Sequence, residues 1–153
     1  MEKLSKYVYL TVCFVFFLFC NFYLSNELVY NLTHGLKYSN EFLTLNYIKN
    51  TGAAFSLLKD ARELLIILSV AALVLILLYI IKHIKSLSMK SIFFIALLSA
   101  GIAGNLHERI AFGYVRDFFQ LNFVNFPVFN IADIFINIGV IALIIMILIK
   151  KTK

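Results

Sequence analysis

GIAGNLHERIAFGYVRDFFQLNFVNFPVFNIAD, residues 101–133, closes one long apolar segment and opens another. Between the two it sets Asp117 and Asp133 at the edge of an apolar layer. Working outward, four segments are apolar enough to cross a membrane: about 7–24, 62–81, 91–106 and 130–149. A span takes roughly 20 residues, with about 17 as the lower bound. The third is the shortest and carries Gly101, Gly104 and Asn105 near its end, so neighbouring helices are expected to protect it there. Unpaired backbone polar groups are costly in hydrocarbon, which makes all four helical.

Composition agrees. The chain is 62% hydrophobic with a mean hydropathy of +0.92, where a soluble domain sits nearer half apolar. The basic residues set its orientation. With the N-terminus inside, the inner side takes Lys3, Lys6, Lys82, Lys85, Lys90, Lys150, Lys151 and Lys153 against the single acid Glu2. The outer side takes Lys37, Lys49, Lys59, Arg62, Arg109 and Arg116 with the remaining acids. That bias places both termini in the cytoplasm and both aspartates outside. The basic inner face suits membrane lipid head groups better than nucleic acid. The first segment has no small-residue cleavage site after its apolar run and reads as an uncleaved anchor. Cys13 and Cys20 lie too far apart along one helix to bridge.

The outer loops are 25–61 and 107–129. In the first, Leu28, Leu32 and Leu36 recur at helical spacing, which suggests a short amphipathic helix or a continuation of the first span. The run Glu41 to Asn50 favours a strand, with Leu43, Leu45 and Tyr47 on one face. Thr51-Gly52 marks a turn, and 53–58 is apolar enough for a short interfacial helix. No repeat divides the chain, so 1–153 is expected to form one integral-membrane domain.

The chemistry rests on the aspartates. Two close carboxylates cannot both ionise. The ionised one would then act as general base towards water, and the protonated one would donate to a scissile carbonyl. Taken singly, each has a plainer reading: Asp133 as a first-turn helix charge, Asp117 as a solvated loop residue. Asn50, Asn105, Arg109 and Asn130 at the same depth tip the balance towards a site that binds something polar. Other chemistries fare worse. His107-Glu108 begins like a zinc-peptidase helix motif but lacks the second histidine. His34 and His83 are isolated on opposite sides. Ser56, Ser69 and Ser99 have no base at recognisable spacing, and no glycine-rich phosphate loop exists.

Four blocks carry a family resemblance. Asn50-Thr-Gly-Ala-Ala-Phe-Ser56, Gly101-Ile-Ala-Gly-Asn105 followed by Arg109, Gly113-Tyr-Val-Arg-Asp117-Phe and Phe129-Asn-Ile-Ala-Asp133 occur in the order and spacing of the lipoprotein signal peptidases, or signal peptidase II, of bacteria. The chain resembles that family over nearly its whole length. The resemblance implies an all-α membrane protein, a bundle of four transmembrane helices with a small extracytoplasmic β cradle. It implies an aspartic endopeptidase of the cytoplasmic (inner) membrane that removes the signal peptide from diacylglyceryl-modified prolipoproteins just before the lipidated cysteine. Asp117 and Asp133 would be catalytic. Asn50, Gly101, Asn105, Arg109 and Asn130 would bind substrate or orient the aspartates. No metal or other cofactor is implied, and globomycin-type cyclic peptides would inhibit.

Two departures stand out. Glu108 occupies the place of the family's usual aspartate beside the arginine. The family's D-x-x-x-K near the end of the first span aligns with Asn21 and Ser25, both uncharged. Two rival readings follow: an inactive relative that only binds lipopeptides, and a small transport or assembly subunit using Asp133 as an ion site.

Overall fold

A computed structural model of the chain describes residues 2–52 and 61–151. The apolar stretch 53–58 lies outside them. The described residues form α1 (Glu2–Thr33), β1 (Tyr38–Ser39), β2 (Leu43–Asn50), α2 (Arg62–His83), α3 (Met89–Phe112), β3 (Val115–Leu121) and α4 (Ile131–Lys151). All four helices are long and apolar enough to cross a membrane, so the protein is a multi-pass membrane protein with a small sheet.

Two helices outrun the expected segments. The 32 residues of α1 make it about 48 Å long at 1.5 Å per residue, against a hydrocarbon core of about 30 Å. Leu28 and Leu32 therefore continue the first span and do not start a separate helix, and Leu36 lies beyond its end. α3 passes its expected end at 106 and stops at Phe112, where Gly113 at φ 84° caps it by donating its N–H to the Arg109 carbonyl. A left-handed residue there favours glycine. Arg62 adds a second cap, donating from Nε to the Arg109 carbonyl and from Nη2 to that of Ile110. His107, Glu108 and Arg109 thus belong to a helix and not to the outer loop.

The polar-ended α3 is the centre of the bundle. It packs on α4, α1 and α2. Half of its apolar window is buried, against 11–17% for the other three helices; those three face lipid and shield it. Glycines allow the close approach. A Cβ on Gly101 would stand 2.6 Å from the Ala132 carbonyl, and one on Gly139 would stand 2.9 Å from the Leu98 Cβ. The Gly101 contact is to backbone, which cannot step aside, so Gly101→Ala should push the first turn of α4, with Asp133, off α3. A loss of about 1–3 kcal/mol is expected for such overpacking, read as a lower melting temperature in detergent.

The sheet runs β1-β2-β3, antiparallel throughout. Leu45 pairs with Phe119, but Ile48 pairs with Asp117. Asn46 and Tyr47 therefore both oppose Phe118, which is a β-bulge. Strand side chains alternate, so one extra residue exchanges the faces beyond it. The expected common face of Leu43, Leu45 and Tyr47 is broken: Tyr47 turns to the far side and stacks on Phe118 at 6.4 Å. Past the bulge, Ile48 and Asn50 gain the face of Asp117. Without it Asn50 would point away. The chain after β3 then folds back, and Phe119 and Phe129 exchange backbone hydrogen bonds. That return sets Asn130, just ahead of α4, beside Asp117.

Candidate active site

Asp117 is not a solvated loop residue. It lies on β3 at 2% exposure. Asp133 is the third residue of α4. It does act as a first-turn helix residue: its Oδ2 accepts from the Asn130 backbone N–H at 3.1 Å while Asn130 Oδ1 accepts from its own N–H at 2.9 Å. This reciprocal cap is a familiar helix start, and here it also fixes the carboxylate.

The aspartates are joined through amides. No hydrogen bond links them directly among the described residues. Asp117 accepts from Asn50 Nδ2 on Oδ2 at 2.8 Å and from Asn130 Nδ2 on Oδ1 at 3.0 Å. Asp133 Oδ1 accepts from Asn105 Nδ2 at 2.8 Å. Asn130 Nδ2 also donates to Asn105 Oδ1 at 3.1 Å. Backbone donors set the direction of this chain. The Gly52 N–H occupies Asn50 Oδ1, and the Asp133 N–H occupies Asn130 Oδ1. Both amide NH₂ groups must then face the carboxylates, and Asn105 is oriented in turn by Asn130. Each carboxylate oxygen takes one N–H and keeps lone-pair capacity for a water or a substrate.

Asn130 is the hub, touching both aspartates and Asn105. Asn130→Ala should remove the cap, at about 1 kcal/mol, leave Asp117 with the Asn50 bond alone, and unpin Asn105, which holds Asp133. Cleavage is expected to fall by about a hundredfold, as when an orienting contact is lost. A rate assay per folded molecule checks this.

Arg109 reaches neither aspartate by a direct ion pair. Its Nη2 donates to the Gly52 carbonyl at 3.1 Å and its Nη1 to that of Asn105 at 3.4 Å. It ties the turn after β2 to α3 and so supports Asn50 and Asn105 together. Arg109→Lys keeps the charge but cannot serve two carbonyls in one fixed fork. A roughly tenfold loss of rate is expected from such misalignment, and full activity in that variant would reduce Arg109 to an interfacial anchor. Gly101 does not line the site; its part is the close contact with the first turn of α4.

Burial pushes the Asp117 carboxyl up from its ordinary 3.8 to about 7. The bonds from Asn50 and Asn130 oppose the rise, and the charge of Asp133 adds to it. The aspartates line a cavity of about 150 Å³ with Asn50, Asn105, Arg109, Asn130, Val115 and the strap Phe126-Pro127-Val128. It adjoins a second cavity of about 450 Å³, which shares Asn50, Asp117 and the strap and reaches Thr51, Gly52 and Asn125.

Residues outside the expected set also matter. Glu108 and Arg116 form a buried ion pair at 2.6 Å, so the partner of Glu108 is Arg116 and not Arg109. Nothing in the sequence flagged Arg116 beyond its place before Asp117. His107 lies against Phe22 and Phe112, away from the aspartates. Asn21 and Ser25 are both 2% exposed, on the side of α1 that meets α3 at Gly104, and Asn21 Oδ1 has no partner among the described residues. Asn21→Asp would bury a charge where the present amide oxygen already finds no donor among the described residues, and a lower folded yield is expected.

Comparison with known proteins places the chain. The signal peptidase (SPase) II family profile matches residues 8–149. A protein named lipoprotein signal peptidase from Streptococcus pneumoniae is 37% identical over 107 residues, covering 70% of this chain and 69% of that protein. One of the same name from Lactococcus lactis is 42% identical, covering 72% and 73%. Two solved structures described as bacterial membrane enzymes superpose with TM-scores of 0.77 and 0.74. They are 28% and 29% identical and cover 93% and 91% of this chain, and 88% and 92% of their own. The four apolar helices and these matches define a membrane-embedded peptidase. The chain belongs to the signal peptidase II family.

Proposed function

We propose that the protein is an aspartic endopeptidase that removes the signal peptide from diacylglyceryl-modified prolipoproteins, with Asp117 and Asp133 as its catalytic residues. The observation that carries this reading is the amide chain Asn50–Asp117–Asn130–Asn105–Asp133, closed around one cavity. Asp117, whose carboxyl holds its proton up to about pH 7, is the acid. Asp133, in the first turn of α4 at that helix's positive end, is the base. Asp133 takes a proton from water as the water oxygen bonds to the scissile carbonyl carbon. Asp117 gives its proton to the carbonyl oxygen. The tetrahedral diol collapses when the proton on Asp133 passes to the leaving amide nitrogen, the C–N bond breaks, and a diol hydroxyl returns a proton to Asp117. That its substrates are prolipoproteins rests on family membership and not on the site alone.

The proposed location is the cytoplasmic membrane, with both termini inside. The Lys6 ammonium donates to the Lys85 carbonyl, which gathers the basic ends of α1, α2 and α3 on the side away from the aspartates. Reporter fusions after Lys85 and Lys153 should read cytoplasm, and one near Thr51 the outside; a cytoplasmic signal at Thr51 would put the site on the wrong face. Globomycin-type cyclic peptides are expected to compete for the cavity. The direct test uses purified protein with lipidated and unlipidated forms of one precursor. The lipidated form should be cut before its modified cysteine and the other left intact. Binding of the lipidated form without cleavage would favour the inactive relative.

A further inference from the structure

We infer that Glu108 and Arg116 are positioning residues for the proposed reaction: their buried pair locks the β3 backbone one residue before Asp117 and so aims the Asp117 carboxylate. The inference rests on the proposed function and concerns the same site.

Glu108 uses both oxygens on Arg116. Oε2 accepts from the Arg116 backbone N–H at 2.7 Å. Oε1 accepts from Nε at 2.9 Å and from Nη2 at 2.6 Å. Arg116 Nη1 continues to Asn26 Oδ1 on α1 at 2.9 Å, and its guanidinium lies 4.9 Å from the centre of the Phe112 ring. One side chain thus ties β3 to α3 and α1. Glu108 is 4% exposed and Arg116 8%. Strand alternation separates the tasks. Arg116 and Phe118 point into the helices, and Asp117 between them points into the cavity with Val115.

A buried ion pair is a poor source of stability, because desolvation offsets most of its attraction, and apolar replacements of similar volume are often neutral. What the pair supplies here is direction. It holds a backbone N–H and a planar fork together, so β3 cannot slide or rotate at Arg116 without breaking three hydrogen bonds. Misplacing a reacting group by about 1 Å can cost about a hundredfold in rate.

The test is the double variant Glu108→Gln with Arg116→Met, compared with the parent for folded yield, kcat and KM on a lipidated precursor. It buries no charge, and the glutamine oxygen can still accept the backbone N–H. The expected result is near-parental yield and KM with kcat lowered at least about tenfold. Parental kcat per folded molecule would overturn the inference and leave the pair a scaffold. Should the double variant fail to fold, Arg116→Lys decides: it keeps the charge and loses the fork, and kcat should fall with KM unchanged, whereas parental kcat overturns the inference. A parent that does not cleave would remove the proposed function and this inference with it, an outcome distinct from an active parent with an equally active variant.

Discussion

Asp117→Asn and Asp133→Asn are each expected to lower cleavage by about three to four orders of magnitude while the protein still inserts and folds. Each amide keeps the size of the side chain and loses the proton chemistry. The structure adds a secondary cost. All four carboxylate oxygens already accept an N–H: Asp117 from Asn50 and Asn130, and Asp133 from Asn105 and the Asn130 backbone. Backbone donors hold Asn50 and Asn130 in their present orientation. A new NH₂ group must therefore face a donor, and a penalty of about 1–3 kcal/mol is expected. Melting temperatures should fall modestly and by similar amounts in the two variants. The rate loss should far exceed what that fall explains, so rates must be taken per folded molecule. Wild-type-like cleavage in either variant would end the aspartic-peptidase reading.

The second large effect is on pH. Asp117 binds its proton more tightly in the folded protein, up to about 7 against an ordinary 3.8. As the proposed acid it must be protonated when substrate binds, so kcat/KM should fall above about pH 7, by about tenfold per pH unit once past that point. Stability moves in the same direction. A carboxyl whose folded pKa is raised gives its full stabilisation below the unfolded value and loses it as pH rises through the folded value. The protein should then be most stable, so far as this group is concerned, below about 3.8, and should weaken towards about 7. The whole difference is on the order of 4 kcal/mol, at about 1.4 kcal/mol for each pKa unit. Asp117→Asn should abolish that part of the dependence. Thermal melts of both proteins from pH 4 to pH 8 check it, and parallel curves would count against a buried, protonated Asp117.

Much of this architecture can be read from the chain. Hydropathy alone marks four helices, and the glycine pair at 101 and 104 marks where α3 is approached closely. Asp117, Asp133, Asn50, Asn105 and Asn130 converge on one cavity as the motif blocks imply. Local pattern did not show the sheet's detail. Val115–Leu121 alternates poorly, because Arg116 and Phe118 pack on helices while Phe119 meets the returning Phe129. The bulge at Asn46 and Tyr47 depends on a strand some seventy residues away and leaves no mark of its own. The apolar pattern stops at 106, six residues short of the end of α3, because Glu108 and Arg109 are charged, a cost that Arg116 and two backbone carbonyls remove only in three dimensions. Burial of Asp117 has the same origin.

The central claim is that two carboxylates activate water with no covalent intermediate and no metal. Purified protein treated with a strong chelator and incubated with lipidated precursor in ¹⁸O-water tests it most directly, with products and protein followed by mass spectrometry. Undiminished cleavage before the lipidated cysteine is expected, with one ¹⁸O in the new carboxylate of the released peptide and an unchanged protein mass throughout. Cleavage that stops until a divalent metal is returned, or a protein that gains the mass of the acyl peptide during turnover, would contradict it.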